Sequence, residues 1–334
     1  MISGRLAACV LAGAATRMRV AVVDIGTNST RLLVADVDDA GALTEVERRT
    51  AVTRLGQGVD RDGVLAEDAM QRVHATLADY RRRIDSRGAQ RAVAVLTSAV
   101  RDAANGAEFA ARVREEHGLA ARTIGGDEEA RLTFLGATSS RPQDDLTPTV
   151  VVDIGGGSTE LVVGSGREVS FHVSTQVGVV RHSERHVHSD PPRGDELDAL
   201  ATDVRAILDA RVPTEVRART RAAVAVAGTP TSLAAIDLKL DCYSSDKVHG
   251  HVLALEACES MLERLAAMPE PERRRVRGLH PDRAPTIVAG TIMLIATLRL
   301  FDLQATEVSD QDILHGAALE TVYRARSEGA AATS

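Results

Sequence analysis

The chain has 334 residues, a formal net charge of −7, 44% hydrophobic residues and only 2% aromatic ones, with no Trp. Such a length admits about two domains of ordinary size, each able to bury a core built from Val, Leu, Ile and Ala. The acidic balance excludes a broad polyanion-binding surface and the scarcity of rings excludes a stacking platform for nucleic acid, so any affinity for phosphate must be local.

Residues 1–18, MISGRLAACVLAGAATRM, have the outline of a signal peptide, Arg5 followed by a short apolar run and small residues. A buried-strand pattern begins directly at Arg19, so the segment is read as an N-terminal extension or a start mis-assigned upstream of Met18. No stretch reaches the ~20 apolar residues that span a bilayer, and no membrane association is expected. Cys9, Cys242 and Cys258 have no metal-ligand spacing and are read as reduced, structural thiols.

Residues 22–34, VVDIGTNSTRLLV, form a buried run that breaks at Asp-Ile-Gly and resumes, the pattern of a strand, a tight turn and an antiparallel return. A third strand is expected over residues 43–55. Met70, Val73, Leu77, Tyr80 and Ile84 recur at spacings of three and four, the apolar stripe of a helix. A strand over 92–96, a helix over 106–117 and a strand over 120–124 follow. Residues 125–137, GGDEEARLTFLGA, open a further helix, and residues 139–148, rich in Ser, Pro and Asp, read as a hinge.

Beyond the hinge, residues 151–163, VVDIGGGSTELVV, repeat the first hairpin without a gap. Asp24 matches Asp153, Gly26 matches Gly155, Ser29 matches Ser158 and Thr30 matches Thr159, at the constant offset 153 − 24 = 129. A helix through Leu197, Leu200, Val204 and Leu208, a strand over 222–227 and a helix carrying Leu253, Met261, Leu262 and Leu265 come next. An apolar helix over 287–300, a short strand before Ser309 and a helix over about 311–327 complete the chain. The expectation is an α/β protein of two similar domains, 19–138 and 139–310, facing one cleft, with the helix 311–327 joining the first.

Phosphate binding requires backbone N–H groups that a ligand can approach, which Gly155, Gly156 and Gly157 supply, with the hydroxyls of Ser158 and Thr159 as further donors. Thr27, Asn28 and Ser29 offer equivalent side-chain donors in the first half. Gly228 and Thr229 open GTPTSLAA, another strand-to-helix junction able to hold an anion. An ordinary glycine-rich hairpin accounts for one such turn; the duplication favours a binding role.

Asp24 and Asp153 end buried strands, where a carboxylate is costly unless a cation sits there. Facing one cleft, they could hold Mg2+, and each can also cap its own turn. Arg31 stands where the second half has Glu160; Arg31 is read as a phosphate ligand and Glu160 as a metal or water ligand, a cross-strand ion pair being the structural alternative. Arg101 follows a strand at a junction suited to bidentate phosphate contact. The helix dipole alone explains Glu128 and Glu129, yet attack of water on phosphorus needs a proton acceptor, and a Glu beside the hinge is the best candidate. His182 and His186 have the i, i+4 spacing of zinc ligands, without a third ligand in register.

The runs DIGTNSTRLLVAD, TSAVRDAAN, GGDEEARLTFLGA, DIGGGSTELVVG, AGTPTSLAA and GLHPDRAPTIVAG, in this order, resemble the exopolyphosphatase / guanosine-pentaphosphate phosphatase family of the actin-like ATPase superfamily, from about residue 20 to about residue 323. The resemblance implies duplicated ribonuclease-H-like domains around an interdomain cleft. It also implies attack of water on the terminal phosphorus of inorganic polyphosphate, assisted by Mg2+ or by Mn2+ in its place, in a cytoplasmic homodimer. On this basis Glu129 is the base, and Asp153 and Glu160 are the metal- and water-positioning carboxylates. Asn28, Arg101, Gly156, Gly157 and Ser158 are phosphate ligands, and Asp24 is the matching acidic residue of the first turn. Two departures stand out: the chain stops after the second lobe, as a short-form member would, and Ile313, Leu314, His315 and Gly316 replace the family's L-R-E-G. The competing expectations are a 5′-phosphohydrolase of guanosine-5′-triphosphate,3′-diphosphate (pppGpp) and a non-catalytic sensor of polyphosphate or nucleotide.

Overall fold

The computed structural model describes residues 17–142 and 144–332; the first sixteen residues, with Cys9 and the signal-peptide-like run, lie outside the described residues. The β-branched run of β1 (Met18–Ile25) is fully buried from Val20 to Val23. The chain turns at Gly26 and returns as β2 (Ser29–Val37), then β3 (Leu43–Val52); β4 (Arg91–Leu96) and β5 (Ala120–Thr123) complete the sheet β3-β2-β1-β4-β5. The second half contributes β6 (Thr149–Ile154), β7 (Thr159–Ser165), β8 (Glu168–Thr175), β9 (Ala222–Val226), β10 (Val252–Ala254) and β11 (Ala305–Val308), ordered β10-β11-β9-β6-β7-β8.

The repeated sequence is therefore a repeated topology. In both sheets two antiparallel pairings are followed by a parallel strand on the far side, β4 beside β1 and β9 beside β6. Each hairpin also sets its strand-end Asp directly across from the residue seven positions on: Asp24 opposite Arg31, and Asp153 opposite Glu160.

The helix expected from the Met70–Ile84 stripe spans Glu67–Arg87 and buries all five stripe residues. Leu253 departs from expectation: it pairs with Thr306 in β10, and the helix begins only at Leu255. A single apolar residue fits either period, so local pattern could not place it. The last helix starts at Ile313 rather than 311, because the Asp312 carboxylate accepts the Leu314 N–H at 3.0 Å and ends the preceding turn. No helix among the described residues is long and apolar enough to cross a membrane.

Two helices fix the relation of the lobes. Helix Ile313–Ala332 returns to the first sheet, burying Ile313, Leu314, Ala317, Ala318 and Val322 against Val20, Val22, Leu33 and Ala35. Helix Gly126–Ala137 adds Leu132 and Leu135 to that layer, while its Ala130, Phe134 and Ala137 pack with Val151, Val162, Val224 and Val226 of the second sheet. These two helices cross at glycines: a Cβ on Gly136 would overlap the Asp312 carbonyl, and one on Gly316 the Leu132 carbonyl. Gly316→Ala is expected to cost about 1–3 kcal/mol by forcing the helices apart, and to lower turnover with it. Gly194→Ala, whose Cβ meets nothing within 4 Å, is expected to leave thermal unfolding unchanged.

On β3, Glu47 joins the sheet to helix Glu67–Arg87, accepting from Arg87 Nε at 2.7 Å, Arg83 Nη1 at 2.9 Å and Arg49 Nε at 2.9 Å. Arg87, with Arg83 and Arg49, outweighs burial and holds this carboxyl at about 2, below its ordinary 4.5. A depressed folded value means stabilisation that is present above the ordinary value and lost as pH falls. Glu47→Gln should therefore melt below the wild type at neutral pH, the gap narrowing as pH falls from about 4.5 towards about 2 in a series of thermal melts.

Candidate active site

The two hairpin turns close in the same way. Gly26 N–H donates to the Ser29 carbonyl at 3.0 Å and Gly155 N–H to the Ser158 carbonyl at 2.9 Å. Around the second turn every glycine carbonyl is occupied: Val179 N–H donates to Gly155 O at 3.0 Å, Val180 N–H to Gly156 O at 2.9 Å, and Arg181 Nε to Gly157 O at 3.0 Å. Gly156 and Gly157 are exposed while their carbonyls are engaged, the kind of turn whose free backbone N–H groups can receive an anion. Gly178 makes this closeness possible, since a Cβ there would overlap the backbone of Gly156 and Gly157. A Cβ on Gly156 would meet only Val180 Cγ2, at 3.6 Å, and would occupy the open cradle instead.

Strand alternation decides which hydroxyls face the cleft. Thr30 and Thr159 are buried; Thr30 pairs with the Thr53 hydroxyl at 3.0 Å and Thr159 donates to the Val177 carbonyl at 2.7 Å. The expectation for Thr159 as a phosphate ligand is corrected accordingly, because its donor serves the sheet. Ser158, the neighbouring residue, is half-buried and donates to Glu160 Oε1 at 2.7 Å; Ser174 on β8 donates to the same oxygen at 2.7 Å. In the first turn Thr27 bonds Ser98 through its hydroxyl at 2.9 Å, Asn28 is exposed, and Ser29 is half-buried.

The carboxylates divide into two unlike pairs. Asp24 Oδ2 accepts from Arg31 Nε at 2.9 Å and Nη2 at 2.6 Å, and Arg31 Nη1 also binds Asp312 Oδ2. Arg31 is thus the cross-strand ion pair of the structural alternative, locked between two acids, and not a free phosphate ligand. Burial opposes its charge, but Asp312 and Asp24 outweigh burial and hold the guanidinium protonated. Burial likewise opposes the charge on Asp312, which Arg31 and His315 hold well below the usual carboxylate range.

The residue paired across the strands with Asp153 is Glu160, and Arg31 acts on Asp153 only as a weaker, opposing charge. Burial first, and the facing Glu160 second, push its carboxyl up to about 7. Asp24 keeps one oxygen, Oδ1, buried without a partner, and burial raises this carboxyl too. Asp24, Asp153 and Glu160 offer oxygen donors alone, the chemistry that suits a hard divalent cation such as Mg2+, although among the described residues their oxygens do not converge within 4.8 Å of one another.

Helix Gly126–Ala137 resolves the choice between its two glutamates. Glu128 is drawn to Arg122, whose Nη2 also holds Glu320 at 2.7 Å. Glu129 Oε2 meets Arg101 Nη1 at 3.3 Å, and Arg101 is itself fixed by the Ile124 carbonyl at 3.1 Å. Burial raises the Glu129 carboxyl, Arg101 opposes the rise, and the charges of Asp24 and Glu160 add to it, so Glu129 feels both hairpins.

The third junction is built differently from expectation. Thr229 is buried and packs on Gly290, whose Cβ would overlap it, while Gly228 lies under the exposed guanidinium of Arg283. Ala227, just before, holds a left-handed φ of 74°. Arg283, at the end of the short 3-10 helix Pro281–Arg283, covers Gly228, a contact that sequence reading missed because so short an element carries no periodic signal. Asp312 was missed for another reason: its partner Arg31 is 281 residues away. His182 is buried with Nδ1 3.2 Å from the Gly178 carbonyl, and His186 bonds Asp203 at 2.9 Å; neither faces the cleft carboxylates.

Two ribonuclease-H-like lobes, glycine turns and an acidic cleft define a phosphohydrolase of the actin-like ATPase fold. The chain belongs to the Ppx/GppA phosphatase family, whose model matches residues 33–325, and it is a hydrolase of that family. It is similar to Exopolyphosphatase 2 of Mycobacterium tuberculosis, 38% identical over 314 residues covering 90% of this chain and 98% of the relative. The crystal structure of the Aquifex aeolicus Ppx/GppA family member superposes with a TM-score of 0.81 at 33% identity, covering 92% of this chain and 99% of that one. An exopolyphosphatase from Cytophaga hutchinsonii superposes with a TM-score of 0.75 at 27% identity, covering 91% and 98%.

Gly156→Ala should fold with stability within about 0.5 kcal/mol of wild type yet lose phosphate-releasing activity, because the methyl fills the cradle. Gly178→Ala should lose about 1–3 kcal/mol in denaturant melts, since the overlap is with backbone. Asp312→Asn, which leaves Arg31 with Asp24 as its one anionic partner, should destabilise by about 1–3 kcal/mol in the same measurement.

Proposed function

We propose that the chain is an exopolyphosphatase, hydrolysing the terminal phosphoanhydride of inorganic polyphosphate and releasing orthophosphate. The observation that carries this reading is the Asp153–Glu160 pair, two facing carboxylates with no hydrogen-bonded guanidinium among the described residues, beside an exposed glycine turn and near enough to act on Glu129. The names of the similar exopolyphosphatases point the same way.

Mg2+, or Mn2+ in its place, would be held by Asp153 and Glu160 with Asp24 Oδ1 beside them, supplying charge neutralisation for the terminal phosphoryl group. The protein's own groups do the rest. The N–H groups of Gly156 and Gly157 receive phosphoryl oxygens and fix the reacting phosphorus, while the Ser158 hydroxyl stays engaged by Glu160. Glu129 takes a proton from the attacking water; burial moves its pKa towards the operating pH, as a general base requires. Arg101, bonded to Glu129 Oε2, orients that carboxylate and offers its remaining N–H groups to substrate oxygens. Ser158 and Ser174 hold one Glu160 oxygen in place. On the same reading the enzyme works in the cytoplasm as a homodimer, which light scattering on the purified chain would test.

Orthophosphate release from short polyphosphate, long polyphosphate and pppGpp, with Mg2+ or EDTA, tests the assignment. Release is expected to be fastest from polyphosphate, to vanish in EDTA, and to fall about 10²–10⁴-fold in Glu129→Gln with the melting temperature unchanged. Faster release from pppGpp would replace the substrate with the nucleotide. Binding without release from any substrate would make the chain a sensor.

A further inference from the structure

A second constellation lies on the opposite face of the first sheet. His74, on helix Glu67–Arg87, and Glu116 and His117, in the last turn of helix Gly106–His117, converge until one donor atom from each lies within 4.8 Å of the others. These helices cover the sheet face formed by Ala21, Val23, Leu32 and Val34, whereas helix Gly126–Ala137 packs on the other face through Leu132 and Leu135. His117 is followed by β5, whose first residue, Ala120, pairs with Val93 near the start of β4. The cluster therefore sits by the N-terminal ends of these parallel strands, away from the turn ends that form the cleft.

A proton network does not satisfy this arrangement. His74 Nδ1 is 2.9 Å from His117 Nε2 and 3.0 Å from Glu116 Oε2, and His74 Nε2 is buried without a partner. With its proton on Nδ1, His74 must split one N–H between two acceptors and bury a bare lone pair at Nε2. With the proton on Nε2, Nδ1 accepts from the His117 Nε2–H, but its lone pair also faces a carboxylate oxygen and the buried Nε2–H has no acceptor. A cation among the three donor atoms removes that repulsion, leaving Nε2–H against Phe109, which packs T-shaped on the imidazole at 5.4 Å.

We propose that His74, Glu116 and His117 form a zinc-class divalent metal site that clips the two outer helices of the first lobe together. Two imidazoles and one carboxylate are the ligand chemistry of zinc, and they are poor ligands for Mg2+, which suits the all-oxygen cleft. The neighbouring charges favour a cation, since Glu116 and Glu67 flank a single guanidinium, Arg112, at 3.4 and 4.0 Å. Glu116 is half exposed, which leaves an entry path and room for water as the fourth ligand.

Calorimetric titration of the chelator-stripped full chain with Zn2+, in excess Mg2+ to occupy the cleft, tests the site. One Zn2+ per chain is expected, with affinity reduced about tenfold or more in His74→Gln and in Glu116→Gln, and unchanged in His186→Gln, which alters the other histidine pair. Zn2+ should raise the melting temperature of wild type and not of His74→Gln, while both cluster variants keep wild-type hydrolysis in Mg2+. Because Glu116 is at the surface, its substitution does not endanger folding. Failure of wild type to bind Zn2+ in excess Mg2+, or equal binding by all variants, would overturn the proposal.

Discussion

Two cross-strand pairs, drawn from one hairpin design used twice, govern the rest of the molecule. In both sheets the register sets a strand-end Asp against the residue seven positions later. The first lobe supplies Arg31 there, and its guanidinium takes Asp24 on one side and Asp312 on the other. The second lobe supplies Glu160, so Asp153 faces a like charge in a buried place and resists ionisation. A folded protein tolerates such a pair only where a cation or proton offsets it. The first hairpin is therefore mostly scaffold, its guanidinium offsetting part of the charge of Asp24 and Asp312, and the second is the half with the less compensated pair.

Arg31 does more than balance charge. By reaching Asp312 at the head of helix Ile313–Ala332, it ties the end of the chain to the first turn. That helix then meets Gly126–Ala137 at the Gly136–Gly316 crossing, where side chains would hold the backbones apart. Glu129 thus stands on an element that shares a core with both sheets. Its distance to either hairpin is set by packing on both sides, which suits the general-base role proposed for it.

The glycine cradle depends on the same economy of backbone. Its carbonyls are bound by residues 179–181, and Gly178 permits the approach. With those carbonyls engaged, the turn is fixed in the shape proposed to receive a ligand. Glycine at 156 is required by the space in front of it, and glycine at 178 by the backbone behind it.

The sequence by itself determined the two sheets, the duplicated hairpin, the strand-end positions of Asp24 and Asp153 and the helix bearing Glu129. Those are products of local periodicity and turn chemistry, which a few neighbouring residues specify. Tertiary structure decided which of these residues face the cleft and which are already paired. Thr159 and Ser158 are adjacent, yet the sheet buries one and leaves the other half-exposed. Glu128 and Glu129 share one helical turn, and only the positions of Arg122 and Arg101 separate them. Arg31 resembled a free phosphate ligand until Asp312, 281 residues on, closed around it. Charge neutralisation and burial are sums over everything packed nearby, and in this fold the deciding neighbours come from distant parts of the chain.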